Sequence, residues 1–585
     1  MFLIALILRV LYIWDISDNP FFTELIIDLK AYDNWARDIA AGNWMGKDVF
    51  YQSPLYPYFL AVLYTGFDRN LILVYILQSV LGALDCLIIY AIGKESFDKR
   101  VGIIAGFGAA MYKMFIFYQA LILKTFLGLL LLDLAIWLIL LCSRKKISPA
   151  PALLAGISLG LAALVRDNVL ALIPFFGLWL FIARRGETPS SRLRPVLIWL
   201  IGVFLVLGIC LARNYHAGRD WVLTTSQGGQ NFYIGNHGKN YWGVYKAPDF
   251  VRANPEFEEK DFRAEAERRS GRAEFKPSEL SRYWYGQAFR EIRNEPGLFA
   301  QRLLRKTLIF FNQEEVPDNL NYYLYRSRFS IILRLPLLNF AVLAPLGILG
   351  ILLGLRDRRG ILLAVYIFIY SATVILFFVL GRYRLFVAGP LLVFAGYALT
   401  WGWEKIRARE YRALLIPLIL LFAFTAFTEI PLHKPSYASA LYNLGNAYAR
   451  QDNWVKAHSA YKDALKDDPE NIHILINLGK ALMELGDMDQ AVQAFEKAVK
   501  INPDYLPGRL NLGIALYKKR HPGKAIIHFE KIVEKDPENI TALIYLAEIS
   551  IETGHPDKAR RYLSQVLEIE PENSWARASL EGLKE

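Results

Sequence analysis

Up to about residue 430 the chain alternates long apolar runs with short charged connections, and after that point the pattern becomes a regular amphipathic one. The apolar runs are 2–14, 70–92, 101–117, 119–141, 152–165, 168–183, 195–212, 331–353, 361–380, 385–401 and 413–430. A run of ~18–20 apolar residues matches a bilayer span and exceeds the length of a strand. The pattern predicts an all-α transmembrane bundle of about eleven spans over 1–430, with several runs short of a full crossing. Residues 53–67 (SPLYPYFLAVLYTGF) are apolar but short and proline-broken, which suits a helix lying at the interface or capping a cavity. The first run lacks a basic leader and a small-residue cleavage site, so it reads as a transmembrane helix whose true start is open to lying upstream.

Beyond a linker at 431–437 the period becomes an unvarying 34 residues, in units 438–471, 472–505, 506–539 and 540–573. The seventh place of each unit is Leu (Leu444, Leu478, Leu512, Leu546) and the eighth is Gly or Ala (Gly445, Gly479, Gly513, Ala547). Ala holds the twentieth place (Ala457, Ala491, Ala525, Ala559) and Pro the thirty-second (Pro469, Pro503, Pro537, Pro571). Small residues let the two helices of a hairpin touch, and a proline ends the second. The pattern resembles the tetratricopeptide repeat, an α-solenoid unit, with 574–585 as a capping helix. Such stacks bind peptides or proteins in a concave groove; a plain structural stalk is the alternative.

Composition sharpens this picture. With 54% hydrophobic residues and three cysteines, all in or beside apolar runs, the chain is neither a soluble globule nor a disulfide-stapled module. The net charge of +12 gives no support to nucleic-acid binding. Five short loops, 93–100, 143–151, 184–195, 355–360 and 402–412, carry 17 Lys/Arg against 6 Asp/Glu, which leaves no basic folded face. Basic loops stay in the cytoplasm. That rule makes the amino terminus cytoplasmic and turns 15–69, 213–330 and the repeats outward, to the periplasmic or extracellular side of an inner membrane.

No Walker sequence or HExxH pair is present, which disfavours a nucleotide-driven pump or a zinc protease. The polar residues at the outer ends of the spans carry more information. The first outer loop holds Glu24, Asp28, Tyr32, Asp33 and Asp38, and in a helix over 28–41 Asp28 and Tyr32 share a face. A carboxylate there suits deprotonation of an acceptor or, as the sole candidate ligand, a divalent metal; a solvated acidic helix is the plain alternative. Lys113 and Lys124, Arg166 in LVRDN, and Arg382 and Arg384 in GRYR break the positive-inside trend on the same outer side. Binding of phosphate oxygens accounts for them, and snorkelling to headgroups is the rival. Asp85 and Asp133 lie within spans, where carboxylates are costly, and are expected to pair inside the bundle. Residues 213–237 suit either an ordered turn near a sugar or headgroup, or a packed lid.

The motifs stand in a particular order: D-x-x-x-Y at 28–32, P-L-Y-P-Y-F-L-A at 54–61, L-V-R-x-N at 164–168, R-N-Y at 213–215, G-G-x-N-F-Y-I-G-N at 228–236, R-Y-R at 382–384, then the repeats. This order resembles the GT-C superfamily of membrane glycosyltransferases, close to the protein-mannosyltransferase-like family 39, over 1–430. The resemblance implies an inverting transferase that takes a sugar from a polyprenyl-phosphate lipid at the outer membrane face. Asp28 would serve as general base, or organise a metal. Lys124, Arg166, Arg382 and Arg384 would hold the lipid phosphate. Tyr32, Asp33, Gln119, Asn168, Asn231 and Asn236 are candidate contacts to donor or acceptor. Relatives carry an acidic residue where this chain has Gln119, which weighs against a metal held by two carboxylates and leaves altered specificity or inactivity open. The acceptor is a protein, glycan or lipid, with the repeats recruiting it or a partner protein. An oligosaccharide ligase or polymerase using a lipid-linked chain, and a membrane-anchored scaffold without catalysis, are the competing readings.

Overall fold

Each of the eleven apolar runs carries a helix in the computed structural model, which describes residues 1–143, 149–184, 187–252, 254–432 and 437–583. Residues 144–148 and 185–186 of the basic loops, 433–436 of the linker and the last two of the capping helix lie outside the described residues. No strand forms among the described residues, as an all-α chain requires. Among the described residues six helices are long and apolar enough to cross a membrane: Leu71–Ser96, Thr125–Cys142, Pro189–Gly218, Arg358–Leu376, Gly381–Arg407 and Tyr411–Thr428. The other runs give shorter helices, among them Phe2–Asp15 with 14 residues and Lys99–Met111 with 13. At 1.5 Å per residue a helix of that length covers about 20 Å of a ~30 Å hydrocarbon layer.

Polar groups and turns cause the shortening. The run 101–117 leaves the helix at Tyr112, which forms a parallel bridge with Leu338, and the Lys113 amide donates to the Leu338 carbonyl at 3.0 Å. The run 331–353 becomes an α-helix only at Phe340, because the amides of Ile331 and Ile332 are turned onto the Asp15 carboxylate.

Small residues bring the bundle helices into backbone contact. A Cβ on Gly156 would lie 2.0 Å from the Trp199 carbonyl oxygen, and one on Gly202 would lie 2.4 Å from that of Leu153. The helices Ala150–Val165 and Pro189–Gly218 therefore pack backbone to backbone, the contact that small residues permit in lipid. Cys86, Cys142 and Cys210 are free and buried, in keeping with their reading as small hydrophobes.

The segment 213–330 folds around aromatic side chains. Trp284 stacks on Phe250 with centroids 5.4 Å apart and meets Phe262 edge-on at 4.9 Å. Its helices Pro255–Ser270, Pro277–Asn294 and Pro296–Phe311 each begin with proline, whose fixed φ suits a first helical position and which has no amide to leave unpaired.

Contacts divide the chain into units Met1–Lys434 and Pro435–Glu585. In the second unit the first helix of each hairpin starts at Ala438, Ile472, Leu506 and Ile540, and Ser574–Gly582 follows the last pair. The glycine at the eighth place has a defined partner. A Cβ on Gly445, Gly479 or Gly513 would meet the ring of Tyr461, Phe495 or Phe529 at 2.4, 2.5 or 2.7 Å. The ring of the second helix thus lies directly against the glycine of the first.

Candidate functional site

Five chain segments bring a compact charged cluster together. Asp28 sits in the first turn of the helix Ile27–Ala40, where the amino-terminal dipole favours a carboxylate. Its Oδ2 accepts from Arg382 Nη2 at 3.0 Å and from Asn319 Nδ2 at 2.9 Å. Arg382 reaches a second carboxylate, with its Nε 2.6 Å from Asp318 Oδ2. Arg166 lies with its Cζ 3.7 Å over the ring of Tyr383. Lys124, one residue before its span, donates to Ser53 Oγ at 2.8 Å. Ile27, the residue before Asp28, holds a φ of +48°, which is strained for a β-branched side chain.

The electrostatics follow from burial and from these partners. Burial alone would raise the Asp28 carboxyl; the Arg382 guanidinium and the Asn319 amide overcome that and hold it below the usual range. Asp318 goes the other way. It is buried beside the same cation but also beside the Asp28 charge, and its carboxyl is raised. Burial, with Arg166 and Arg382 close by, lowers the Lys124 ammonium to about 7. Among the described residues Arg166 Nε and Arg382 Nη1 are buried without a hydrogen-bond partner. An unpaired buried donor costs about 1–3 kcal/mol, more on a charged group, so the cluster is poised for an anion.

The sequence candidates divide into two groups. Asp28, Lys124, Arg166 and Arg382 converge, with Tyr32 on the Asp28 face of its helix and packed edge-on against Tyr56. Arg384 is placed elsewhere. It pairs with Glu315 Oε1 at 2.6 Å, donates to the carbonyls of Asn312 and Glu314, and lies beneath Phe340. Asp33 is buried and accepts from Tyr64 and Arg69 at 2.8 and 2.9 Å, anchoring its helix to the next. Gln119 accepts from Arg9 Nε at 2.7 Å, deep between the first helices. Asn168 donates to Thr373 Oγ1 at 3.0 Å.

Asn231 is half-buried on the helix Gly228–Asn236. Asn236 donates to the Phe232 and Leu376 carbonyls at 2.9 Å and accepts from Lys306. The same turn bonds to the 376–381 segment: the Val379 amide donates to the Gly243 carbonyl at 3.0 Å, and Val244 bridges Val379. Residues 236–244 therefore brace the loop that carries Arg382.

Sequence reasoning missed Ser53, Asp318, Asn319 and Arg9. Asp85 and Asp133 lie buried within their helices, with Arg9 the nearest cation to Asp85 and no hydrogen-bond partner for either Asp85 oxygen. Among the described residues no three His, Cys, Asp or Glu side chains gather for a metal. The guanidinium of Arg382 pairs with both carboxylates, so the donor set does not fit a divalent ion.

The first unit is a multi-pass helical bundle with a buried carboxylate–guanidinium cluster, and helical repeats follow it in the chain. Residues 51–215 match the family described as dolichyl-phosphate-mannose-protein mannosyltransferase, and 438–471 match the tetratricopeptide repeat. Residues 459–577 match the tetratricopeptide domain of cytochrome c-type biogenesis protein H. The resemblance drawn from motif order is borne out: a mannosyltransferase-family segment precedes protein-interaction repeats. No curated protein matches the chain.

Among solved structures, MamA is 23% identical over 25% of this chain and 81% of its own, with a TM-score of 0.25. MamA from Desulfovibrio magneticus RS-1 is 20% identical over 26% and 86%, also at 0.25. YrrB, described as a tetratricopeptide protein with an unusual peptide-binding site, is 21% identical over 30% and 87%, at 0.24.

Proposed function

We propose that this chain transfers a sugar from a polyprenyl-phosphate donor to a protein, glycan or lipid acceptor at the outer face of the cytoplasmic membrane. The observation that carries the proposal is the cluster itself: one carboxylate held by a buried arginine, with two further cations and two unused donors beside it. Arg166, Arg382 and Lys124 bind the donor phosphate. Arg382 then shares its charge with the phosphate, its hold on Asp28 weakens, and the carboxylate becomes a better base. The acceptor oxygen gives its proton to Asp28 and attacks the anomeric carbon. The bond from that carbon to the phosphate oxygen breaks, and the lipid phosphate leaves, its charge stabilised by the same cations. Attack opposite the leaving group inverts the anomeric centre. The repeats recruit the acceptor or a partner protein.

A donor of this kind is a phosphate diester with a charge that does not change near neutrality, so Lys124 sets the pH dependence. Its ammonium is present below pH 7 and lost above it. Above pH 7, donor binding must bring a proton back to Lys124, and affinity falls by about tenfold per pH unit. Equilibrium binding of a polyprenyl-phosphate sugar between pH 6 and 9 checks this. Lys124→Met binds more weakly at low pH and loses the slope. The function itself is tested by mass spectrometry of glycans, glycolipids and glycoproteins from cells with and without the chain. Addition of one sugar supports transfer from a monosaccharide donor, a preassembled chain indicates a ligase, and no difference sinks both.

A further inference from the structure

A second carboxylate stands close to Asp28, on the segment 213–330. Glu258 stands in the first turn of the helix Pro255–Ser270, and that helix packs against the Ile27–Ala40 helix that bears Asp28. Glu258 Oε1 accepts from Tyr51 OH at 2.9 Å, and its Oε2 accepts from Tyr245 OH at 3.1 Å. All three residues are half-buried, so the trio has one open side, unlike a carboxylate closed inside a core. No cation pairs with Glu258 among the described residues. Burial, opposed by the two tyrosine hydroxyls and aided by the Asp28 charge, raises its carboxyl. Its spare lone pairs are therefore available to neutral hydroxyls.

The trio is joined to the cation cluster on two sides. Tyr51 stands two residues from Ser53, which holds Lys124. Two residues of chain span at most about 7 Å, a separation suited to one pyranose ring. On the other side the rings of Tyr245 and Phe378 lie 5.5 Å apart, those of Phe378 and Tyr383 lie 5.7 Å apart, and Tyr383 carries Arg166. A donor whose phosphate sits on Lys124, Arg166 and Arg382 therefore has its sugar adjacent to Glu258. A carboxylate accepting from two vicinal hydroxyls, flanked by tyrosines, distinguishes sugars by hydroxyl configuration, because a mismatch leaves a buried acceptor unpaired.

We infer that Glu258, with Tyr51 and Tyr245, forms the sugar-recognition end of the donor site and reads the hydroxyls of the transferred pyranose. The inference rests on the transferase reading above. It is tested on the purified full-length chain in lipid nanodiscs, with polyprenyl-phosphate mannose, glucose and galactose, of which mannose and galactose each differ from glucose at a single hydroxyl. The wild type prefers one of the three. Glu258→Gln lowers kcat/KM for that donor by about 10–100-fold, chiefly through KM, and brings the three donors close together. Tyr51→Phe moves both quantities the same way by about 3–10-fold. If the wild type discriminates and Glu258→Gln keeps both its KM and the donor ratios, the inference is overturned and the transferase reading stands. Equal loss of kcat on every donor together with a lower unfolding temperature shows a structural tie only and also overturns it. A wild type that takes all three donors alike also overturns the inference and leaves the transferase reading standing.

Discussion

Asp28→Asn abolishes most sugar transfer, by about 10²–10⁴-fold in kcat, and leaves the protein folded. The fold survives because asparagine keeps an oxygen that can accept from Asn319, while Arg382 retains its ion pair with Asp318. The loss appears in kcat, since the proton transferred in the rate-limiting state has no acceptor, whereas donor affinity is kept or strengthened because Arg382 is released to the phosphate. Rates measured with saturating lipid-linked donor, alongside an unfolding temperature in detergent, separate these effects. A variant that transfers at the wild-type rate removes Asp28 from the chemistry.

Arg384→Met unfolds the membrane unit more readily, by about 3–5 kcal/mol, because it strands Glu315 as a buried, uncompensated carboxylate. The arginine also closes carbonyls of the 310–314 segment, so the loop carrying Asp318 and Asn319 loosens with it. Glu315→Gln in the same chain recovers a large part of the loss by removing the stranded charge. Thermal unfolding of the single and double variants in detergent gives the coupling. Were Arg384 instead a phosphate ligand, its removal would weaken donor binding at unchanged stability.

How much of the molecule was legible follows from which interactions are local in sequence. Apolar runs and the 34-residue period record burial along one helix or one hairpin, so helical class and repeats could be read directly. Lengths of the spans could not, because Tyr112 and the 331–339 turn leave their helices for partners hundreds of residues away. Asp28, Lys124, Arg166 and Arg382 were legible as exceptions to a charge rule. Arg384 obeyed the same criterion, two residues from Arg382, yet is placed on Glu315; a motif in a tight turn does not say which way alternate side chains point. Asp318 and Asn319 sit in V-P-D-N, an ordinary turn signal, and Glu258 in a helix crowded with charges. Their partners lie up to 291 residues away, a separation that no local pattern encodes.

The Arg9–Gln119 bond bears on biosynthesis. Arg9 is buried in the amino-terminal apolar helix, and its side-chain partners Cys86 and Gln119 arrive 77 and 110 residues later. At about 5–20 residues per second the ribosome needs on the order of 5–20 s to make that stretch. Through that interval a charge costing about 2.5–3.5 kcal/mol at a helix centre has no Gln119 to meet it. The first helix is thus a poor candidate for early, independent release into lipid, and its settling depends on the arrival of the helices that carry Cys86 and Gln119.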